Sequence, residues 1–228
     1  MKTIFDSKNL RSLSLAVLAV IVLTLSLSSC SKNNDSGGSS MSAYVQVTNS
    51  ADGSTAQDFY VDNTKLTTSA VAYGSSSDFL TASTGNHQGK FETSGTSTVN
   101  ASVSLSPQAG KYYSVFYVDG NSTTSYQADR TAPQSGKARI RFINLSSALS
   151  TAVDFGITTG AKVASNLAYK AASTYYDVDP ATAFSLYATG SSTVIISVPA
   201  TLQAGHVYTI YVSGATTAAV TSHVVTEE

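Results

Sequence analysis

The chain has 228 residues, 12% of them charged, and a formal net charge of −1. That balance excludes nucleic acid as a partner, and electrostatic attachment to an anionic membrane, because both need a basic excess. Thirteen tyrosines, no tryptophan, four prolines and abundant serine and threonine favour strands and turns over helices.

At the N-terminus, Lys2, Lys8 and Arg11 precede an apolar run from Leu13 to Leu27, which Ser28-Ser29-Cys30 closes. This is the layout of a secretory signal peptide over residues 1–29, and the run is short of the roughly 20 apolar residues that span a bilayer. Cys30 is the single cysteine, so the mature chain forms no internal disulfide. Leu27-Ser28-Ser29-Cys30 resembles the lipobox of bacterial lipoproteins, which implies diacylglyceryl transfer to Cys30, cleavage before it and attachment to the membrane through lipid. Ser31 follows the cysteine where enterobacterial proteins retained at the inner membrane carry Asp. The expected address is therefore the outer membrane, with the periplasmic or cell-surface face left open. Residues 30–42 have almost no apolar content and read as a flexible tether.

Beyond the tether the sequence repeats itself. "GTSTVNASVSLSPQAGKYYSVFYV" from Gly95 matches "GSSTVIISVPATLQAGHVYTIYVS" from Gly190. Upstream, Val45, Val47 and Asn49 correspond to Ile140, Phe142 and Asn144. After a one-residue insertion Asp58-Phe59 corresponds to Asp154-Phe155, and Phe79 to Tyr175. The expected organisation is a first copy over residues 43–130, a linker over 131–137 and a second copy over 138–228. Within each copy the apolar residues alternate with period two. Val45 and Val47, like Ile140 and Phe142, are read as facing a core; Tyr44, Gln46, Thr48, Arg139 and Arg141 are read as facing outward. Gly110 and Gly205 stand where a tight turn needs positive φ. Seven or eight short strands per copy predict an all-β protein of two tandem antiparallel β-sandwich domains, immunoglobulin-like in type, with a small barrel as the alternative.

The stretches "DFYVDN" near Asp58, "VAYGSSSDFL" from Val71, "GNHQGKFETSGTSTV" from Gly85 and "SLSPQAGKYYSVFYV" from Ser104 resemble the bacterial DUF4397 family, whose domains have no assigned function. The second copy diverges at "DFGITTG" and "LAYKAASTYYDV". The resemblance implies an all-β fold and an exported protein, and carries over no functional residue.

Chemistry is sparse. His87, His206 and His223 lack metal-ligand spacing, and no nucleophile elbow or phosphate-binding glycine loop occurs. Asp177 and Asp179 in "YYDVDP" have the spacing to reach a calcium ion, although a strand ending at Pro180 accounts for them equally. No cofactor or metal is expected. Tyr112, Phe116 and Tyr211 fall on the face opposite the core-facing Tyr113 and Tyr208, where a one-sided sheet should be polar. They are the candidate surface contacts for a glycan or protein ligand; packing between the two copies is the plainer account. The reading is a non-enzymatic, lipid-anchored envelope protein acting as a binding or adhesion module. A structural spacer is the first rival and a hydrolase the second.

Overall fold

The computed structural model describes residues 42–227, which are strands and turns apart from one short 3-10 turn at Thr217–Ala219. Cys30, the signal peptide and nearly all of the tether lie outside the described residues. In the first copy β1 (Ser42–Asn49), β4 (Leu80–Ser83), β7 (Tyr112–Val118) and β8 (Ser122–Ala128) form a sheet of order β4-β1-β7-β8. β2 (Gln57–Val61), β3 (Thr64–Lys65), β5 (His87–Thr93) and β6 (Val99–Leu105) form the facing sheet, β3-β2-β5-β6. The second copy uses the same order. β9 (Ala138–Asn144), β12 (Tyr176–Val178), β15 (Val207–Ser213) and β16 (Thr221–Thr226) make β12-β9-β15-β16; β10 (Val153–Ile157), β11 (Lys162–Leu167), β13 (Phe184–Ala188) and β14 (Val194–Val198) make β11-β10-β13-β14. The protein is thus all-β, four sheets in two sandwich-like units.

One pairing in each unit departs from the antiparallel expectation. β1 lies parallel to β7 and β9 parallel to β15, in equivalent register: Val45 opposes Tyr113 as Ile140 opposes Tyr208. A parallel pair needs a long connection, and here the whole facing sheet supplies it. The core-facing phase is as the alternation requires. Val45, Val47, Phe59 and Phe91 are buried in the first unit, and Ile140, Phe142, Phe155 and Phe184 in the second.

Repeated residues make repeated contacts. Gly110 and Gly205 adopt φ of 69° and 86°, and their N–H groups donate to the carbonyls of Ser42 and Lys137. Tyr113 and Tyr208 each accept a 3.1 Å bond from a backbone N–H five residues upstream, that of Gln108 and Gln203. Asn49 and Asn144 are fully buried at the ends of β1 and β9; their amides donate to the carbonyls of Val71 and Leu167, and their Oδ1 atoms accept from Ala51 and Ser146. The "QAG…Y" and strand-end Asn signals of the repeat are therefore hydrogen-bonding devices.

Beyond Tyr112, the outward faces of β7 and β15 do not meet water. Phe116 and Tyr211 are both at 0% exposure, 5.6 Å apart edge to face, in a cluster with Val118, Ile143, Leu145 and Val225. The outer sheet of one unit covers that of the other, which corrects the placing of Phe116 and Tyr211 as surface contacts. It also corrects the outward reading of Arg141, which is 2% exposed. Its guanidinium pairs with Glu227 at 2.7 Å and donates to Thr209 Oγ1, Ser114 Oγ and the Gln127 carbonyl. The seam has an approximate twofold logic: Gln46, the repeat counterpart of Arg141, donates to the carbonyl of Thr226, the counterpart of Gln127.

Breaking a buried ion pair strands a charge, whereas replacing both partners removes the desolvation cost as well. Glu227→Ala should destabilise the unit by about 3–5 kcal/mol, and the double change Arg141→Met with Glu227→Leu should recover most of that loss. Urea unfolding measures both.

Candidate ligand-binding face

Of the three aromatic residues singled out by the pattern, Tyr112 stays at the surface, half-buried. The parallel register places Tyr44 of β1 directly beside it, and the rings stack with centroids 4.6 Å apart and planes 15° from parallel. Phe79, just before β4, meets Tyr112 edge-on at 5.0 Å. The Arg130 guanidinium lies 4.5 Å from the Tyr112 ring centre, a cation–π arrangement that holds the arginine flat against the ring. Beside the cluster is a depression of about 350 Å³ lined by Lys111, Tyr112, Gln127, Asp129, Arg130 and Thr131. Hydrogen bonds from Thr131, with Arg139 adding to them, pull the Asp129 carboxyl down to about 2, so it is charged at neutral pH. The second unit does not reproduce the stack. Arg139 and Val207 stand at the positions of Tyr44 and Tyr112, and Arg139 instead lies over Tyr175 at 5.5 Å.

A second arrangement was not visible in the spacing of the sequence. In the β4–β5 connection, which crosses from one sheet to the other, Ser83 Oγ lies 3.1 Å from His87 Nε2, and His87 Nδ1 lies 2.5 Å from Asp62 Oδ2. This is the order nucleophile, base and orienting carboxylate. The protonation state argues against that use. Nε2 is also 3.1 Å from the Thr84 carbonyl. A carbonyl and a carboxylate both accept, so the charged ring can donate to both, and in that form it has no lone pair to take a proton from Ser83. The bond to Asp62, then that to Thr84, raises the His87 pKa, in keeping with an imidazolium that ties the β2–β3 turn to the β4–β5 turn.

The other candidates are accounted for by contacts. Asp177 binds Arg139 and the Gln134 N–H, while Asp179 pairs with Lys137, so the two carboxylates are engaged with separate cations. Among the described residues no three metal-ligating side chains stand together. His206 is half-buried beside Tyr208. His223 is stacked 4.8 Å over Tyr211 with Tyr73 edge-on at 5.5 Å, and its burial lowers its pKa.

The two histidines give opposite pH signatures. His87 is bound more tightly when charged; its contribution is complete below the ordinary histidine value of about 6.5 and is lost as pH rises through the higher folded value. His223 is buried neutral; its contribution is complete above about 6.5 and is lost as pH falls through the lower folded value. An NMR titration of the imidazole protons should place the His87 midpoint above, and the His223 midpoint below, that of an unfolded peptide.

No curated protein sequence matches the chain. Among solved structures, it is similar to the crystal structure of CBMbc (family CBM26) from Eubacterium rectale Amy13K in complex with maltoheptaose. The identity is 14% and the TM-score 0.27, covering 81% of this chain and 96% of that one. The fold assignment rests on the strand pairing instead. Among the described residues no helix is long and apolar enough to cross a membrane. Residues 43–155, from β1 through β10, match the family model described as "Domain of unknown function (DUF4397)", and the chain carries one such domain there.

Proposed function

We propose that the chain is a lipid-anchored, non-enzymatic binding module of the bacterial outer membrane, with its contact surface at the Tyr44–Tyr112–Phe79–Arg130 cluster of the first unit. The observation that carries this is the half-buried Tyr44–Tyr112 stack at the end of an otherwise sealed sheet face. Flat rings fixed by packing give contact area at little cost in side-chain entropy, as binding surfaces use them. Anchoring through Cys30 is an expectation of the Leu27-Ser28-Ser29-Cys30 run, and two or three acyl chains there would hold the module permanently. Hydrolysis is the weaker reading, because the contacts of His87 with Asp62 and the Thr84 carbonyl favour its charged form, which has no lone pair for Ser83.

A second reading has its own observation. Phe116 and Tyr211, buried against each other, join the two units through an apolar contact, which suits a rigid spacer that holds other parts of the envelope apart.

The folded unit from Ser42 onward should sediment with purified envelope fragments, and the double variant Tyr44→Ala with Tyr112→Ala should remain in the supernatant with its melting temperature little changed. Equal sedimentation of both would favour the spacer. A fluorophosphonate adduct on Ser83 would revive the hydrolase. Cys30→Ala should move the protein from the membrane to the soluble fraction; intact mass showing an unmodified mature N-terminus would refute the anchor.

A further inference from the structure

The seam between the units is closed on one side and open on the other. On the closed side the Tyr126 hydroxyl donates to the Lys170 carbonyl at 2.8 Å, the Tyr175 hydroxyl donates to Glu227 Oε2 at 2.6 Å, and Arg141 pairs with Glu227. On the open side Gln46 keeps one bond of its counterpart Arg141, that to a strand carbonyl, and the other groups have no equivalent. The counterpart of Tyr126 is Val225, that of Glu227 is Ala128, and that of Tyr175 is Phe79, which packs on Tyr112. What is left is a groove of about 360 Å³ lined by Gln46, Gly74, Ser75, Ser76, Ser77, Asp78 and Val224–Thr226.

Gln46 is 4% exposed, and its Oε1 has no hydrogen-bond partner. Its orientation is not free. The Thr226 carbonyl can only accept, so the amide NH₂ must face it at 3.0 Å and Oε1 is left as a buried acceptor without a donor. Buried acceptors are nearly always satisfied, and one that is not marks a site where a donor is missing. The other side chains of the groove are hydroxyls and the exposed carboxylate of Asp78, together with two valines.

We infer that this groove binds a neutral saccharide chain, with a sugar hydroxyl donating to Gln46 Oε1, others meeting Asp78 and the Ser75 hydroxyl, and the apolar ring face of a neighbouring sugar resting on the Tyr44–Tyr112 stack. This deepens the binding reading above and rests on it. Gln46 and Tyr44 share one face of β1 two residues apart, about 7 Å along the strand. Asp78 adjoins Phe79, so the groove leads directly to the aromatic cluster and a chain of sugars reaches both. A saccharide is the chemistry that offers many donors without charge and combines them with an apolar ring face.

Affinity electrophoresis of the folded unit in gels containing amylose, dextran, xylan, mannan or hydroxyethyl cellulose tests this directly. At least one polymer should retard the wild type. Gln46→Leu should weaken that retardation about tenfold or more, and Ser75→Trp, which places a large side chain in the groove from an exposed position, should abolish it. Circular dichroism melts of both variants check that they remain folded. Absence of retardation by every polymer overturns the saccharide assignment, while envelope sedimentation still decides the binding reading on its own. Retardation that Tyr44→Ala with Tyr112→Ala abolishes but Ser75→Trp leaves intact overturns the groove and keeps the aromatic surface.

Discussion

The structure depends on covering two sheet faces that neither unit can expose alone. Phe116, Val118, Ile143 and Tyr211 point away from the cores of their own sandwiches, and an apolar patch of that kind in water is a standing cost. Packing face on face removes it, but apolar contact is non-directional and would tolerate several alignments. Arg141 and Glu227 supply direction. A guanidinium with four fixed acceptors, drawn from β15, β7, the Gln127 carbonyl on β8 and the terminal segment, is satisfied in one alignment only. Its net stabilisation is modest after desolvation, and its value lies in penalising misaligned packings, in which a charge would be buried alone.

That same requirement accounts for the asymmetry of the molecule. One ion pair is enough to fix the seam, and the first unit has Gln46 and Ala128 where the second has Arg141 and Glu227. Tyr126 and Tyr175 are drawn into the charged side. The opposite side keeps its volume, an unsatisfied amide oxygen and an aromatic stack at its end. Two units of the same strand order thereby present chemically different edges, one ion-paired and one open.

Much of the fold was legible because a duplication tests each reading twice. Positions that stayed apolar in both copies, such as Val45 with Ile140 and Phe59 with Phe155, had to be core; Gly110 with Gly205 had to be a turn. The outer faces were not legible for the same reason that the cores were. Alternation reports which residues share a face and says nothing about what covers it, so Arg141 read as solvent-facing and Phe116 as a surface contact. The apolar content of β7 and β15 on both faces was the available signal, and it pointed to packing between copies. The parallel β1–β7 pairing and the approach of Ser83, His87 and Asp62 depend on strand order, which local pattern does not carry. Of the site itself, Tyr112 was readable as an off-phase aromatic residue; Tyr44 became its partner only through the parallel register.

Glu227 lies just beyond β16, the last strand of the fold, and this orders events in time. A chain emerges N-terminus first, from a ribosome and from an export channel alike. The first sandwich can complete its own sheets once β8 has emerged, yet Phe116 stays uncovered until about a hundred further residues bring β15 and β16. During that interval the first unit carries an uncovered apolar face. The arrival of Glu227 beside Arg141 closes the seam and ends that exposure.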